Sequence, residues 1–460
     1  MNYSNYQQAI FKGIQEEKCS LQVVAVAGSG KTTTILEAAK LVPSSLFLAY
    51  NKGIAEAVSA KGLQASTIHS MGYKSLARKG YKVNDRKMQN ILRYKVLGLE
   101  SPIEEQLKEY YEIQRYFSRM ASLLKGEGVF TSKGITEELV DRLAEHHSLD
   151  REHNDIKTLQ EMFYYNAEGK TIDFDDMLQA GDNLTIYPTV FIDESQDLNR
   201  AQRLFLSRIA RRIISVGDPC QAIYGFRGAS PDSMERIAEE FNCKQLPLSI
   251  CYRCSKAVVR AAQRLQPQIE ASPTAEEGTV EELTLRQLPH FLRGDCMVVC
   301  RTTAPLVELF FILLREGIAS TVVGKDVFQE LEPTIRFLYT RGWDGSTISD
   351  WYTREQEKVK GKKHELGRLA EKVEIIQAFY SSTIGKNPLE ECSKLFSGRG
   401  IPLSTIHRAK GLEAENVFIL RPDLLPHPKA KKDWEYEQEK NLEYVAITRA
   451  KRSLYYVRND

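Results

Sequence analysis

The chain has 460 residues, 42% of them hydrophobic and 27% charged, with a formal net charge of +2. That length exceeds what one hydrophobic core ordinarily serves, so two or more domains are expected, with the profile of a soluble globular protein. The near-balance of charge neither calls for nor excludes a nucleic-acid partner, because a local basic groove can hide in a neutral total.

No window approaches the roughly 20 apolar residues of a membrane span, and the N-terminal stretch lacks a signal-peptide pattern. The eight cysteines follow no disulfide-framework spacing, which implies a reducing, intracellular setting. Cys251 and Cys254 form a single CxxC, whereas a zinc site would want two well-spaced pairs. Cys300 ends an apolar run, Cys296 to Cys300, that reads as a buried strand.

Near the N-terminus, Gln22 to Ala27 is a short apolar run with the composition of a strand, and Gly28-Ser29-Gly30-Lys31-Thr32-Thr33 follows it into a helix-forming stretch. Glycines let backbone N–H groups wrap a phosphate, and the helix N-terminus adds a positive dipole end. In such a loop Lys31 reaches the β- and γ-phosphates and Thr32 holds Mg²⁺. Residues 71–170 are then rich in Lys, Glu, Leu and Tyr at helical spacing.

Strand-like Thr189 to Ile192 ends in Asp193-Glu194. A carboxylate there supports Mg²⁺, and its neighbour orients or deprotonates an attacking water. Together these features imply an Mg²⁺-dependent nucleoside triphosphatase. They also fit a small-molecule phosphotransferase. Downstream, Gly217 to Ala229 places Gln221, Tyr224, Phe226 and Arg227 on a glycine-broken loop.

The layout predicts two α/β domains, each interrupted by a mostly helical insert. The first takes 1–70 and 171–245, with insert 71–170. The second takes 246–330 and 395–460, with insert 331–394.

Several short motifs, in order, resemble superfamily 1 DNA helicases of the UvrD/Rep/PcrA type. They are Tyr6-Gln-Gln-Ala-Ile10, Ala49-Tyr-Asn-Lys52, Ser66-Thr-Ile-His-Ser70, Ile172-Asp-Phe-Asp-Asp-Met-Leu178, Asp193-Glu-Ser-Gln-Asp197, the stretch Gly217 to Ala229, Cys251-Tyr-Arg-Cys-Ser255, Val299-Cys-Arg-Thr302, Leu403-Ser-Thr-Ile-His-Arg-Ala-Lys-Gly-Leu-Glu413 and Leu442-Glu-Tyr-Val-Ala-Ile-Thr-Arg-Ala-Lys451. The wording is most similar to the F-box DNA helicase branch, without anything resembling an F-box.

The resemblance implies two RecA-like P-loop domains with parallel sheets and ATP between them. It implies that Gln7 (or Gln8) reads adenine, Tyr252 stacks on it and Glu413 binds the ribose. Gln221, Arg253 and Arg449 reach the γ-phosphate, and Glu194 acts on the water. It makes Tyr50, Tyr224 and Phe226 base-stacking platforms, a sequence-blind grip of ~1–3 kcal/mol per base. Asn51, Thr67, His69, Arg227, Thr405 and His407 become backbone or sugar contacts. Outside the motif context, Arg449 reads as a surface residue, Tyr252 as a core aromatic and His69 as a structural histidine.

There are departures from the family pattern. Val26 stands where a P-loop glycine is common, which requires ordinary backbone angles there. Ser195 replaces Ala, Phe226 replaces Trp and Ala414 replaces Phe. The insert 331–394 is shorter than its counterpart in UvrD or Rep, where that insert swings and touches duplex.

The implied activity is ATP-dependent translocation on single-stranded DNA, 3′-to-5′, with unwinding. The partners would be single strands and single/double-strand junctions, with replication or recombination proteins possible and no membrane. The place would be cytoplasm or nucleoid, or the nucleus of a eukaryote. Two alternatives are a translocase that strips bound proteins and an ATP-switched DNA-binding regulatory subunit.

Overall fold

The computed structural model describes residues 3–459 except 180–183, 224–231 and 396–398, and gives the backbone alone for 325–330. Two compact units emerge, Met1–Ala25 with Gly30–Leu248, and Val26–Ser29 with Ser249–Asp460. Both are α/β, as the sequence implies, and every strand pairing among the described residues is parallel. No helix among them is long and apolar enough to cross a membrane.

The first unit opens with α1 (Asn5–Glu16), capped by Ser4 in a reciprocal box with Gln7. Strand β1 (Leu21–Ala25), α2 (Lys31–Lys40), β2 (Ser45–Leu48), α3 (Lys52–Ser59), β3 (Ala65–Ser66) and α4 (Ile68–Ala77) follow. Strands β4 (Lys82–Val83) and β5 (Thr171–Ile172) form a two-stranded ribbon around a helical block. That block comprises α5 (Lys87–Asn90), a π-helical turn at Ile91–Val96, α6 (Glu104–Gly126), α7 (Glu137–His146) and α8 (Asp155–Asn166). The unit closes with β6 (Thr189–Ile192), α9 (Arg200–Ile209), β7 (Ile213–Gly217), α10 (Ser233–Glu240) and β8 (Lys244–Leu248).

The main sheet has the order β3-β2-β6-β7-β1-β8. Its central strands β2, β6 and β7 are buried on both faces because helices cover both. Phe47, Phe191 and Ile214 meet α1, α2 and α3 on one side. Their neighbours Leu46, Leu48, Val190, Ile192 and Ile213 meet α4, α9 and α10 on the other, the period-2 alternation of a strand.

The helical block has its own core, including Leu92, Phe117, Met120, Leu124, Val140, Leu159 and Phe163. A buried ion cluster ties it to the segment before β6. Lys125, fully buried, reaches Asp173 at 2.6 Å and Asp176 at 2.7 Å. Lys87 reaches Asp176 at 2.8 Å. The same segment lies hard against α4, where a Cβ on Gly72 would come within 2.0 Å of the Met177 carbonyl oxygen.

The second unit carries β9 (Ile250–Cys251), α11 (Lys256–Gln263), β10 (Glu270–Ala271), β11 (Thr279–Thr284), α12 (Leu288–Phe291), β12 (Cys296–Cys300), α13 (Ala304–Arg315) and β13 (Ser320–Val322). Four helices follow, α14 (Lys325–Tyr339), α15 (Gly345–Lys358), α16 (Lys363–Ser382) and α17 (Pro388–Leu395). The chain then returns to the sheet with β14 (Ile401–Thr405), α18 (Ile406–Ala409), β15 (Ala414–Leu420), α19 (Asp433–Ile447) and β16 (Ala450–Arg458).

Here the sheet order is β11-β16-β15-β12-β14-β13, and β9 pairs with β10 apart from it. One core runs from Val298, Leu403 and Phe418 of the sheet through Phe310 and Phe311 of α13. It continues into Leu338, Ile348, Ile376, Phe379 and Leu395 of the four intervening helices. Among the described residues, those helices share their core with the sheet.

Candidate nucleotide and nucleic-acid sites

In the first unit the functional candidates collect where parallel strands end, although Val26–Ser29 of the loop after β1 group with the second unit. The phosphate-type loop follows β1, Tyr50 follows β2, Thr67 follows β3, Asp193 follows β6 and Asp218 follows β7. Open parallel sheets bind ligands at this carboxyl edge, because successive loops splay apart there.

Gly30 begins α2 at φ +76° and Gly28 adopts φ +67°, a left-handed backbone that favours glycine. Val26 has an ordinary φ, as its β-branch requires. Lys31 is buried at the first turn of α2, and Thr33 is exposed beside it. Ser29 is fully buried and donates its hydroxyl to the Val26 carbonyl at 2.8 Å. Its side chain thus shapes the loop rather than facing outward. Thr32 Oγ1 donates to Asp193 Oδ2 at 2.7 Å, joining the loop to the acidic strand.

The Asp193 carboxyl is pushed up to about 6, first by burial and then by the neighbouring Glu194 charge. Glu194 adopts φ +52°, uncommon for a residue with a side chain and frequent where strain serves a site. Its carboxylate accepts from Gln196 Nε2 at 2.5 Å. Gln196 in turn accepts the Asp218 backbone N–H at 3.2 Å.

Asp218 is fully buried. It caps the turn at Cys220 and accepts from Gln221 Nε2 at 2.7 Å. Gln196 and Asp218 hold Glu194 and Gln221 in place, and neither figured among the sequence candidates. Their signal was polar residues directly after apolar strands. Gln7 is also committed to local structure: it completes the α1 cap and donates to Thr34 Oγ1 at 3.0 Å. Gln8 is exposed and donates to the Tyr3 carbonyl.

An Mg²⁺ ion fits the donors at Thr32 and Asp193, two hard oxygens, with burial and a like charge opposing the bare Asp193 carboxylate. Among the described residues no group of three or more His, Cys, Asp or Glu forms a protein-only metal cage.

Beside this site is a groove of about 250 Å³ lined by Tyr50, Thr67, His69, Asp193, Asn199 and Gln202, among others. Tyr50 is half exposed at its edge. Asn51 and Thr67 cap α3 and α4, each accepting a backbone N–H with its side-chain oxygen. Burial lowers the His69 imidazole, favouring its neutral form. Tyr224, Phe226 and Arg227 lie outside the described residues.

In the second unit Arg253 Nε pairs with Glu413 at 2.7 Å, and its Nη1 donates to the Thr448 carbonyl at 3.3 Å. Lys451 joins Glu413 at 3.1 Å. Burial raises the Glu413 carboxyl, but Arg253 and Lys451 outweigh it and hold the group below its usual value. Arg449 is almost wholly buried and donates to the carbonyls of Val445 and Leu412. Arg449 Nη2 also donates to Thr448 Oγ1 at 3.4 Å, so Thr448 stands between the two arginines. Tyr252 is half exposed.

Glu413 and Arg449 directly precede β15 and β16, which start in register at Ala414 and Ala450. Thr405 ends β14 level with Cys300, and Cys300 pairs with Leu420 at the far end of β15. Thr405 and His407 therefore sit at the opposite edge of this sheet from Glu413 and Arg449. The His407 imidazole is pushed down to about 3 by burial and by the charges of Arg301 and Arg408, so it is neutral near pH 7.

Comparison with known proteins agrees with these motifs. Residues 6–242 match the UvrD/REP helicase N-terminal domain, and residues 348–459 match the UvrD-like helicase C-terminal domain. F-box DNA helicase protein 1 of Schizosaccharomyces pombe is 24% identical over 94% of this chain and 55% of its own length. ATP-dependent DNA helicase PcrA of Staphylococcus epidermidis is 22% identical over 95% of this chain and 80% of its own length. The chain thus spans about half of the first relative and four fifths of the second. Among solved structures, the Arterivirus nonstructural protein 10 (helicase) covers 97% of this chain and 61% of that one. Its identity is 13% and its TM-score 0.38, too slight a likeness to argue from. With one family domain matching more than half of its residues and a second matching most of the C-terminal quarter, the chain belongs to the UvrD/REP helicase family.

Proposed function

We propose that the chain is an ATP-driven motor that moves 3′-to-5′ along single-stranded DNA and unwinds duplex. The observation that carries this reading is the joined pair Thr32 and Asp193, next to buried Lys31 and to a Glu194 fixed by Gln196. Bound Mg²⁺ would neutralise phosphate charge at Thr32 and Asp193. Lys31 binds the β- and γ-phosphates, and Glu194 takes the proton of the attacking water. Arg253 and Arg449 stabilise charge on the transferring phosphoryl group, a role worth orders of magnitude in rate. Tyr252 stacks on adenine, Gln7 reads it and Glu413 binds the ribose.

Tyr50, His69 and Thr67 grip the strand in one unit, and Thr405 and His407 in the other. A neutral His407 donates a hydrogen bond to sugar or phosphate rather than supplying a charge. Gln221, held by Asp218, senses the γ-phosphate. Single/double-strand junctions and proteins of replication or recombination are the partners, in whichever compartment holds the DNA.

A second reading, a translocase that strips proteins with little unwinding, is favoured by the core shared between α14–α17 and the second sheet. The test is ATPase with and without single-stranded DNA, plus unwinding of 3′- and 5′-tailed duplexes. Stimulated turnover and unwinding of the 3′-tailed substrate are expected. Glu194→Gln should bind ATP and DNA without turnover. Unwinding by Lys31→Ala would overturn the motor reading, and robust unwinding by the native chain would overturn the second.

A further inference from the structure

Cys251 and Cys254 bracket Tyr252 and Arg253 at the point where β9 runs into α11. The Cys254 backbone N–H donates to Cys251 Sγ at 3.4 Å, so the two-residue spacing folds the second cysteine back onto the first sulfur. Cys254 Sγ approaches the Thr448 carbonyl at 3.8 Å, the same carbonyl that receives Arg253 Nη1. The pair is therefore wired into the backbone that holds Arg253.

We propose that Cys251 and Cys254 are a reversible redox dithiol: a small peroxide converts them to an intramolecular disulfide that fixes the loop bearing Tyr252 and Arg253 and slows ATP turnover. The consequence for turnover rests on the motor reading above; the dithiol itself does not.

The electronic bias supports this chemistry. The hydrogen bond from Cys254 brings the Cys251 thiol down to about 7, against the opposing effect of burial. Burial instead pushes Cys220, Cys243, Cys300 and Cys392 up, to about 12, 12, 11 and 12. Thiolate is the reactive form, so reactivity concentrates at Cys251. Both residues are buried, at 0% and 2% relative exposure, so peroxide reaches them only when the loop between β9 and α11 opens locally.

The steps balance. The Cys251 thiolate attacks one oxygen of hydrogen peroxide, the O–O bond breaks, and the leaving hydroxide takes a proton to become water. Cys251 is then a sulfenic acid. The Cys254 sulfur attacks Cys251 Sγ, the S–O bond breaks, and hydroxide leaves with the Cys254 proton as a second water. Two thiols lose two electrons and two protons, and one peroxide becomes two waters. An S–S bond of about 2.05 Å draws the loop ends together and displaces the Arg253 backbone between them. A displacement on the order of 1 Å at a phosphate-contacting guanidinium loses roughly tenfold to a hundredfold in rate.

The chain supplies its own assay. Trypsin cuts after Lys244, Arg253 and Lys256, giving peptides 245–253 and 254–256 with one cysteine each. After treatment of the full chain with hydrogen peroxide and alkylation, the two should be recovered as one disulfide-linked species that a reductant splits. ATPase of the same sample should fall roughly tenfold or more and return on reduction, while Cys254→Ser should keep its activity through the same treatment. Separate, alkylated peptides at a peroxide dose that oxidises exposed Cys19 would overturn the dithiol. A linked species with unchanged ATPase, or equal inactivation of Cys254→Ser, would overturn the lock. A preparation without any ATPase would count against the motor reading, and the peptide map would still decide the dithiol.

Discussion

Replacing Lys125 by Met tests what holds the helical block to the first sheet. The ammonium group is fully buried and lies 2.6 Å from Asp173, 2.7 Å from Asp176 and 3.0 Å from Asn166 Oδ1. Methionine has nearly the same length and volume, so the packing of α6 is kept and only the charge is removed. Asp176 keeps Lys87 at 2.8 Å, while Asp173 loses its ammonium partner. Removing one member of a buried ion cluster costs about 3–5 kcal/mol, most of it the price of an uncompensated buried charge. With a urea dependence near 3 kcal/mol per molar, the midpoint for this unit should fall by roughly 1–2 M. Urea titration read by hydrogen exchange in peptides from α5, α6 and α8 measures it. The double change Lys125→Met with Asp173→Asn should recover part of the loss, because it removes the stranded charge as well. A single-variant midpoint within roughly 0.3 M of native, about a third of the smallest expected shift, would refute the reasoning.

Two further outcomes are expected. Phe379 is 1% exposed and packs edge-on against Phe311 at 5.7 Å and Trp343 at 5.9 Å. Phe379→Ala should cost about 3–5 kcal/mol and lower hydrogen-exchange protection in β12 together with α14–α17. Melting of those helices with β12 unaffected would contradict a shared core. The Asp175 carboxyl is raised to about 6 by burial and by the Asp173 charge, against a hydrogen bond from Ser122. The folded state then binds this proton more tightly than the unfolded state, so stability falls as pH rises from the ordinary carboxylate range through about 6. Asp175→Asn should flatten that fall, leaving the variant more stable than native at pH 7.5 and closer to it at pH 4, measured by urea midpoints. A native-like slope would contradict the assignment.

Much of the candidate nucleotide site has a local pattern, because the chemistry proposed for it is local. A loop that wraps phosphate needs glycines between a strand and a helix, and Gly28, Gly30, Lys31 and Thr32 stand in that order with the left-handed angles the turn demands. An apolar strand ending in Asp193-Glu194 is equally local. What the sequence could not display was commitment. Asn51 and Thr67 read as strand-gripping residues, yet their oxygens cap helices. Ser29 reads as a phosphate ligand, yet its hydroxyl closes the loop on Val26. His407 reads as a polar contact, and only its burial, with the charges of Arg301 and Arg408 added, shows that it is neutral. Ser70, Arg301 and Arg408 stand within quoted motifs, but which atoms they engage is set by the folded geometry.

Sequence alone determined the fold class and the family. Strand and helix periodicities are set by nearest neighbours, and motif order survives without knowledge of any contact. Only the tertiary structure decided which groups meet. Lys125 and Asp173 are 48 residues apart, and Arg301 and Glu439 are 138 apart, yet each pair is in direct contact. Only the folded chain could merge α14–α17 into the core of the second sheet, because periodicity shows which residues a helix buries but not what it buries them against. Register also put Glu413 and Arg449 at one edge of that sheet and Thr405 at the other, through pairings between strands that no single stretch of sequence contains.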